Sequence, residues 1–386
     1  MTGASTYDVA VVGAGSVGNP IAMSLAEAGL SVGVFDPGAS PGRGDNRAAI
    51  GGIRATHSDR AKIRICTESL EIFRTWEETH GDHIGWHQGG YTFPAYDDAI
   101  EGVLKGILPG QKEQGLGIDW IGPDRLEELV PGIVTDGLRG GTYSPGDGSA
   151  SPLLCTHAFK KNAESLGATY HLREAVTDVL VEDEKAVGVR TGKGDYAAGI
   201  VVNAAGARAT EVGAMAGVSV PVQPDSHEAG ITEPVARFLG PMVVDLRPGP
   251  GSKNFYFHQN SEGQIVFCIT PDPIIPGHDR RATSVFLPQI AKRMVALLPL
   301  LRNLKVRRVW RGLYPMTPDG APILGFAPEV GGLLLAAGMC GQGFMLGPGV
   351  GRLVARLVGD RLTDADREVL EDLRPDRAFT GQEALK

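Results

Sequence analysis

At 386 residues with 42% hydrophobic content, the chain is long enough for two cores, and such a length ordinarily divides into two or more domains. Its 37 Lys and Arg against 45 Asp and Glu give a net charge of -8 with the cations scattered, which excludes a basic stripe for a polyanion, so nucleic acid is not an expected partner. Cys66, Cys155, Cys268 and Cys340 stand far apart and never as CxxC, which argues against a disulfide framework or a thiolate zinc site and predicts reduced thiols in a cytoplasmic protein.

The first apolar run, Val9 to Val12, is too brief for a signal peptide, and no later stretch reaches the roughly 18–20 apolar residues of a membrane span. Tyr7 to Val12 reads as a buried strand, Gly13 to Gly18 as a glycine turn, Pro20 to Ala28 as an amphipathic helix ending at Gly29, and Ser31 to Phe35 as a second strand closed by Asp36. That order is a βαβ unit. A Gly- and Arg-rich loop, Ser40 to Gly52, leads into a helix over 61–79, with Ile63, Cys66, Leu70, Phe73 and Trp76 at helical spacing.

From 80 to 140 the pattern changes to short β-like pieces (90–95) and one helical stretch (123–130), the start of a second domain. A helix over 151–166, capped by Ser151 with Pro152 at its first turn, and strands at 169–172, 175–182, 186–191 and 200–204 return to the first. Between 217 and 309 come strands at 242–246, 254–258 and 264–269 and a helix at 285–298. The chain then closes with a strand (332–337), a second glycine turn (338–343) and a helix (344–358). The expected architecture is α/β: a Rossmann-type domain from 1–79, 141–216 and 310–386, and a discontinuous α+β domain with an antiparallel or mixed sheet from 80–140 and 217–309.

Gly13-Ala14-Gly15-Ser16-Val17-Gly18 carries the chemistry of a dinucleotide site. Gly13 permits the tight turn, Gly15 lets a pyrophosphate approach the backbone, Gly18 lets the helix lie close on the sheet, and Asp36 suits ribose hydroxyls. The helix start offers N–H groups and a positive dipole to the phosphates. No second GxGxxG occurs, which leaves no separate nicotinamide site. The GxSxG letters of Gly38 to Gly42 run into a loop rather than a helix, so they form no nucleophile elbow. His80, His83 and His87 are interrupted by Gly81 and Gly85, so no metal site is expected.

Several further segments together resemble the D-amino acid oxidase superfamily, which includes glycine oxidase, sarcosine oxidase and the dimethylglycine and L-proline dehydrogenases. They are Asn46 to Arg54, Val201-Val202-Asn203-Ala204-Ala205-Gly206, Trp310-Arg311-Gly312 with Thr317-Pro318-Asp319-Gly320, and Ala337 to Gly349. The resemblance covers nearly the whole chain and implies FAD. The residues it would bring against FAD are Gly13, Ala14, Gly15, Ser16, Val17, Gly18, Asp36 and Pro37; Arg43, Asn46, Arg47, Ala48, Gly51, Gly52 and Ile53; Val176; Ala204, Ala205 and Gly206; Gly312; and Gly338, Gly341, Gln342, Gly343, Phe344 and Met345. In the family, the last group lies beside the flavin's pyrimidine ring, where helix N–H groups favour the reduced cofactor. The family often has His or Ser where this chain has Met339, Cys340 and Gln342.

Where family members attach flavin covalently, this chain has Gly312 and Arg47, which implies a dissociable, non-covalent FAD. Small amino acid substrates imply an arginine for the carboxylate, here Arg54 or Arg311. Tyr256 and His258 are the other expected catalytic or pocket residues; Tyr256 falls near the place of a lysine that assists oxygen chemistry in monomeric sarcosine oxidases, with Lys253 close by. The resemblance thus implies hydride transfer from a small amino acid or secondary amine to flavin by an oxidase or a dehydrogenase, the missing lysine pointing to a dehydrogenase that passes electrons to a carrier or a partner subunit. Two other readings remain open at this point: a 2-hydroxy acid or polyol phosphate dehydrogenase of the same fold, and an FAD-bearing relay or structural subunit of a larger complex.

Overall fold

In the computed structural model, which describes residues 6–381 and 383–385, the apolar run becomes the strand Thr6–Val12, whose last four residues are all buried. It pairs in parallel with Gly194–Asn203 on one side and Val32–Asp36 on the other. Thr169–Leu172 and Leu333–Ala337 extend the sheet in parallel, and Ile323–Phe326 borders it antiparallel. A parallel sheet needs crossovers that cover its faces. One face carries the helices Gly18–Glu27, Arg60–His80, Pro152–Ser165 and Gly343–Val358, whose Ile21, Leu25, Phe73, Trp76, Phe159 and Leu346 share a core with Val9, Val11, Val32 and Val34. The alternate strand residues Ala10, Val12, Phe35 and Val201 pack on the opposite face with Val179 and Val189 of the antiparallel pair Val176–Glu182 and Lys185–Thr191.

A second eight-stranded sheet runs in the order Val306–Met316, Gln223–Pro234, Gln264–Pro271, Ser252–Gln259, Met242–Asp245, Tyr91–Ala95, Gly140–Ser144, Asp119–Ile121. It is antiparallel except where Met242–Asp245 meets Tyr91–Ala95. The helix Phe286–Leu297 covers one face through Phe255, Phe257, Phe267, Phe286 and Ile290. The other face, with Asn254, Tyr256 and Cys268, looks into the cleft described below.

Local signals place most helices. Asp59 caps Arg60–His80 by accepting from the Lys62 N–H, and Gly81 ends that helix in a left-handed conformation (φ 73°). The Ser151 side chain accepts from Leu154 N–H at 3.4 Å. The helix Asp98–Glu113 was not expected: it contains Gly102, Gly106, Pro109 and Gly110, all poor helix formers. Asp97 starts it by accepting from Ile100 N–H at 2.8 Å, and it buries little beyond Leu104 and Gln111. The strands Gly140–Ser144 and Val306–Met316 both pair within the second sheet, so the chain leaves that sheet after Ser144 and again after Met316, not at 140 and 309. No described helix is long and apolar enough to cross a membrane, and the four cysteines are buried and free.

Candidate active site

A cavity of about 630 Å³ is lined by both sheets. The first sheet and its loops contribute Gly13, Gly15, Ser16, Val17, Asp36, Asn46, Ala48, Gly51, Gly52, Ala204, Ala205 and Gly206, and the turn Gly341–Met345 closes over them. The carboxylate of Asp36 accepts from Ala14 N–H at 2.8 Å and Gly38 N–H at 2.6 Å, which fixes the glycine turn against the next strand. Asn46 donates to Pro152 O (3.0 Å) and the Thr156 hydroxyl (2.6 Å), tying the following loop to helix Pro152–Ser165. A Cβ built at Gly15 meets nothing within 4 Å, so the backbone there is bare to the cavity, whereas one at Gly18 would stand 1.8 Å from Gly13 O. Two helices, Gly18–Glu27 and Gly343–Val358, begin beside this space. An open backbone, two positive helix ends and a carboxylate at the end of the second strand fit a dinucleotide.

Several expected cofactor residues stand elsewhere. Ala14, Gly18, Ile53 and Gly338 shape the wall from behind: Ala14 and Ile53 are fully buried, and a Cβ at Gly338 would meet Thr317 Cγ2 at 2.3 Å. Pro37, Arg43, Arg47 and Val176 do not line the cavity. Pro37 is turned outward, Arg43 and Arg47 are exposed on the loop whose inward residue is Asn46, and Val176 packs against the core on the far side of the sheet. Gly312 does line it, held against Ala48, whose methyl carbon a Cβ would meet at 2.6 Å.

At the second sheet, Arg54 follows the short strand Gly52–Ile53, which pairs with Gly148–Ser149. Its guanidinium is buried, lies 5.7 Å from the centre of the Phe93 ring, and donates to Thr56 O and, at 2.6 Å, to Leu385 O. Asp147 holds the neighbouring backbone by accepting from Ala55 N–H (3.0 Å) and the Thr56 hydroxyl (3.1 Å); burial pushes its carboxyl up to about 6. Tyr256 and Tyr314 share a hydroxyl–hydroxyl hydrogen bond, and burial raises both phenols well above their ordinary value, so both stay protonated. Tyr314 stacks on His227 at 3.7 Å between ring centres, and His227 Nε2 lies 3.1 Å from the Asp225 carboxylate.

His258 and Arg311, expected at the site, do not line it. His258 Nε2 donates to Ile50 O at 2.7 Å, and burial drops its pKa to about 4, so the ring is neutral and anchors the Ile50 loop from beneath. Arg311 is opposite Glu228 across the strand pair and lies 3.6 Å from its carboxylate and 3.9 Å from that of Asp279. The side-chain parity that turns Gly312 and Tyr314 inward turns Arg311 away. Asp225, His227, Tyr314, Cys268, Tyr91, Phe93, Glu383 and Leu385 line the cavity without having been anticipated. For Tyr314 the signal was present, two residues beyond Gly312 on an alternating strand; for Glu383 and Leu385 there was none. His83 and His87, in the triplet set aside as a metal site, take separate partners, Glu77 and Arg237.

A dinucleotide cleft continuous with a partly apolar chamber that holds a buried guanidinium and two phenols defines a flavin-dependent oxidoreductase of two-sheet design. The sequence profile of the family described as FAD dependent oxidoreductase matches residues 8–357. The chain belongs to this D-amino acid oxidase family, its cofactor is FAD, and it is an amine or amino acid oxidase or dehydrogenase. Glycine oxidase of Geobacillus kaustophilus is 29% identical over 93% of this chain and 95% of its own length. Mitochondrial sarcosine dehydrogenase of Mus musculus is 27% identical over 92% of this chain, which spans only 40% of that protein. Among solved structures, L-proline dehydrogenase from P. horikoshii superposes with a TM-score of 0.91 and 32% identity, covering 98% of this chain and 99% of that one. Glycine oxidase from G. kaustophilus gives 0.85 and 28%, covering 97% and 99%.

Proposed function

We propose that this enzyme oxidises the carbon–nitrogen bond of a small amino acid or N-alkyl amino acid to an imine and passes the electrons to a carrier or partner subunit. The observation that carries the reading is the placement of Arg54 in the same cavity as the Gly341–Met345 turn, with the paired Tyr256 and Tyr314 hydroxyls on the facing sheet. FAD, when bound, supplies the hydride acceptor. Arg54 offers the substrate carboxylate a planar, charge-assisted partner in a site of low dielectric. The same positive charge disfavours an ammonium beside it and so favours the neutral amine that can give up hydride. Tyr256 and Tyr314, held protonated, present hydroxyls to polar groups of the substrate. Tyr91, Phe93, Val244 and Leu246 keep the chamber dry.

Gly13, Gly15, Asp36, Asn46, Ala204, Ala205 and the Gly341–Met345 turn are the residues we assign to FAD, held without a covalent bond because Gly312 and Arg47 offer no nucleophile. Transfer to an acceptor other than oxygen is favoured by Tyr256, near the place of a lysine that assists oxygen chemistry in monomeric sarcosine oxidases; Lys253, exposed yet bordering the same cavity, is the rival for that role, which the peroxide assay decides. The test is a panel of glycine, sarcosine, L-proline and D-alanine with an artificial electron acceptor, run beside a peroxide assay. Acceptor reduction by one of these amines without peroxide is expected; turnover of 2-hydroxy acids alone would refute the amine assignment. Activity in the isolated gel-filtration peak excludes a mere relay subunit.

A further inference from the structure

Residues 383–385 return to the substrate chamber from the far end of the sequence. Leu385 is buried at 4% exposure in a cluster with Tyr91, Phe93, Met242 and Val244. It lines the cavity, and its carbonyl accepts from Arg54 Nη2 at 2.6 Å. Two residues earlier, the Glu383 carboxylate accepts from Ser58 N–H (2.8 Å), the Ser58 hydroxyl (2.6 Å) and Lys62 Nζ (3.3 Å), and lies 3.8 Å from His57 Nδ1. The Lys62 side chain has no exposed surface, and its ammonium also donates to Gly320 O at 2.7 Å. A lysine and a glutamate are rarely both buried unless paired. Here the pair fastens Glu383–Leu385 to the start of helix Arg60–His80, directly beside Arg54.

We propose that Leu385 is a specificity-determining wall of the substrate chamber, and that Glu383 is the positioning residue that holds it there. The proposal rests on Arg54 as the carboxylate anchor. The Leu385 side chain limits what can follow a carboxylate into the space beside Tyr91 and Phe93, and its carbonyl takes one N–H of Arg54 Nη2 as Thr56 O takes one of Nη1, leaving the guanidinium's other N–H groups for the ligand. The chamber therefore admits a carboxylate with a short side chain and rejects a branched one.

The test titrates the FAD-loaded enzyme with propanoate and 4-methylpentanoate, which carry the carboxylate without the reacting amine, following the flavin absorbance. Leu385→Gly should shift the ratio of the two dissociation constants about tenfold towards 4-methylpentanoate, the scale of a small change in an apolar pocket. Leu385→Phe should shift it the opposite way. Glu383→Gln combined with Lys62→Met, which removes both members of the ion pair together, should move the ratio in the direction of Leu385→Gly while FAD content is retained. A ratio unchanged across the Leu385 variants overturns the wall. Arg54→Ala reports separately: it should weaken both carboxylates alike by tenfold or more, and no weakening overturns the anchor instead.

Discussion

Replacing Gly15 and Gly18 by alanine, one at a time, separates the part of the glycine turn that serves FAD from the part that serves the fold. At Gly15 the added methyl meets nothing within 4 Å of protein, so the apoprotein should be as stable as the parent, or more stable by about 0.4–1 kcal/mol through the restricted unfolded chain. The same methyl projects where a pyrophosphate must approach the backbone. Losing one charge-assisted hydrogen bond there, about 1.5–3 kcal/mol, weakens FAD roughly ten- to hundredfold. At Gly18 the methyl would lie 1.8 Å from Gly13 O and 3.4 Å from Val11 Cγ1, so helix Gly18–Glu27 must lift from the sheet. Overpacking of that kind costs about 1–3 kcal/mol in the apoprotein itself. Urea melts of both apoproteins and FAD titrations by flavin fluorescence read the two effects independently. If Gly15→Ala bound FAD like the parent, or melted as early as Gly18→Ala, the reasoning would fail.

Arg54→Lys should raise KM for a carboxylate-bearing substrate by at least tenfold, since the ammonium cannot reproduce the planar fork, while Arg311→Lys leaves KM within about twofold because Arg311 faces Glu228 and Asp279; steady-state kinetics on both variants decides. Tyr256→Phe removes one partner of the Tyr314 hydroxyl, which keeps Cys268 beside it, and should cost about 0.5–1.5 kcal/mol in a urea melt, with a fall in kcat. His258 has its pKa depressed from 6.5 to about 4 by burial, so the unfolded or opened chain binds the proton first: its contribution is present above 6.5 and is lost as pH falls towards 4. FAD release should accelerate over that window, and His258→Gln should flatten the profile, as fluorescence of released FAD will show.

The legible parts of the molecule were those in which neighbouring residues build the feature together. The turn at Gly13–Gly18 and Asp36 lie within one βαβ unit, and Arg54 comes two residues after Gly52, so sequence order already placed these residues close together. The Gly341–Met345 turn was readable for the same reason, as a strand, a glycine turn and a helix in succession. His227 and Asp225 were not, because Gln223–Pro234 is a strand of mostly polar residues kept buried by pairing with Val306–Met316, far along the chain. Nothing local in that segment signals a strand. Arg311 and His258 failed differently. Arg311 sits on the wrong side of its strand, a one-residue parity; His258 shares the parity of Tyr256 yet lies beneath the Ile50 carbonyl. The union of Glu383 with Lys62 joins residues more than three hundred positions apart, and only the tertiary fold brings that lysine and glutamate together.

The central claim, that FAD in this cleft takes electrons from a small amine bearing a carboxylate, is tested most directly by anaerobic mixing of the FAD-loaded enzyme with sarcosine, glycine, L-proline and D-alanine, each beside lactate as the 2-hydroxy acid control. The account predicts rapid loss of the flavin's visible absorbance with at least one amine, slowed in the Arg54→Ala enzyme, and none with lactate. Bleaching by lactate, with every amine inert, would contradict it.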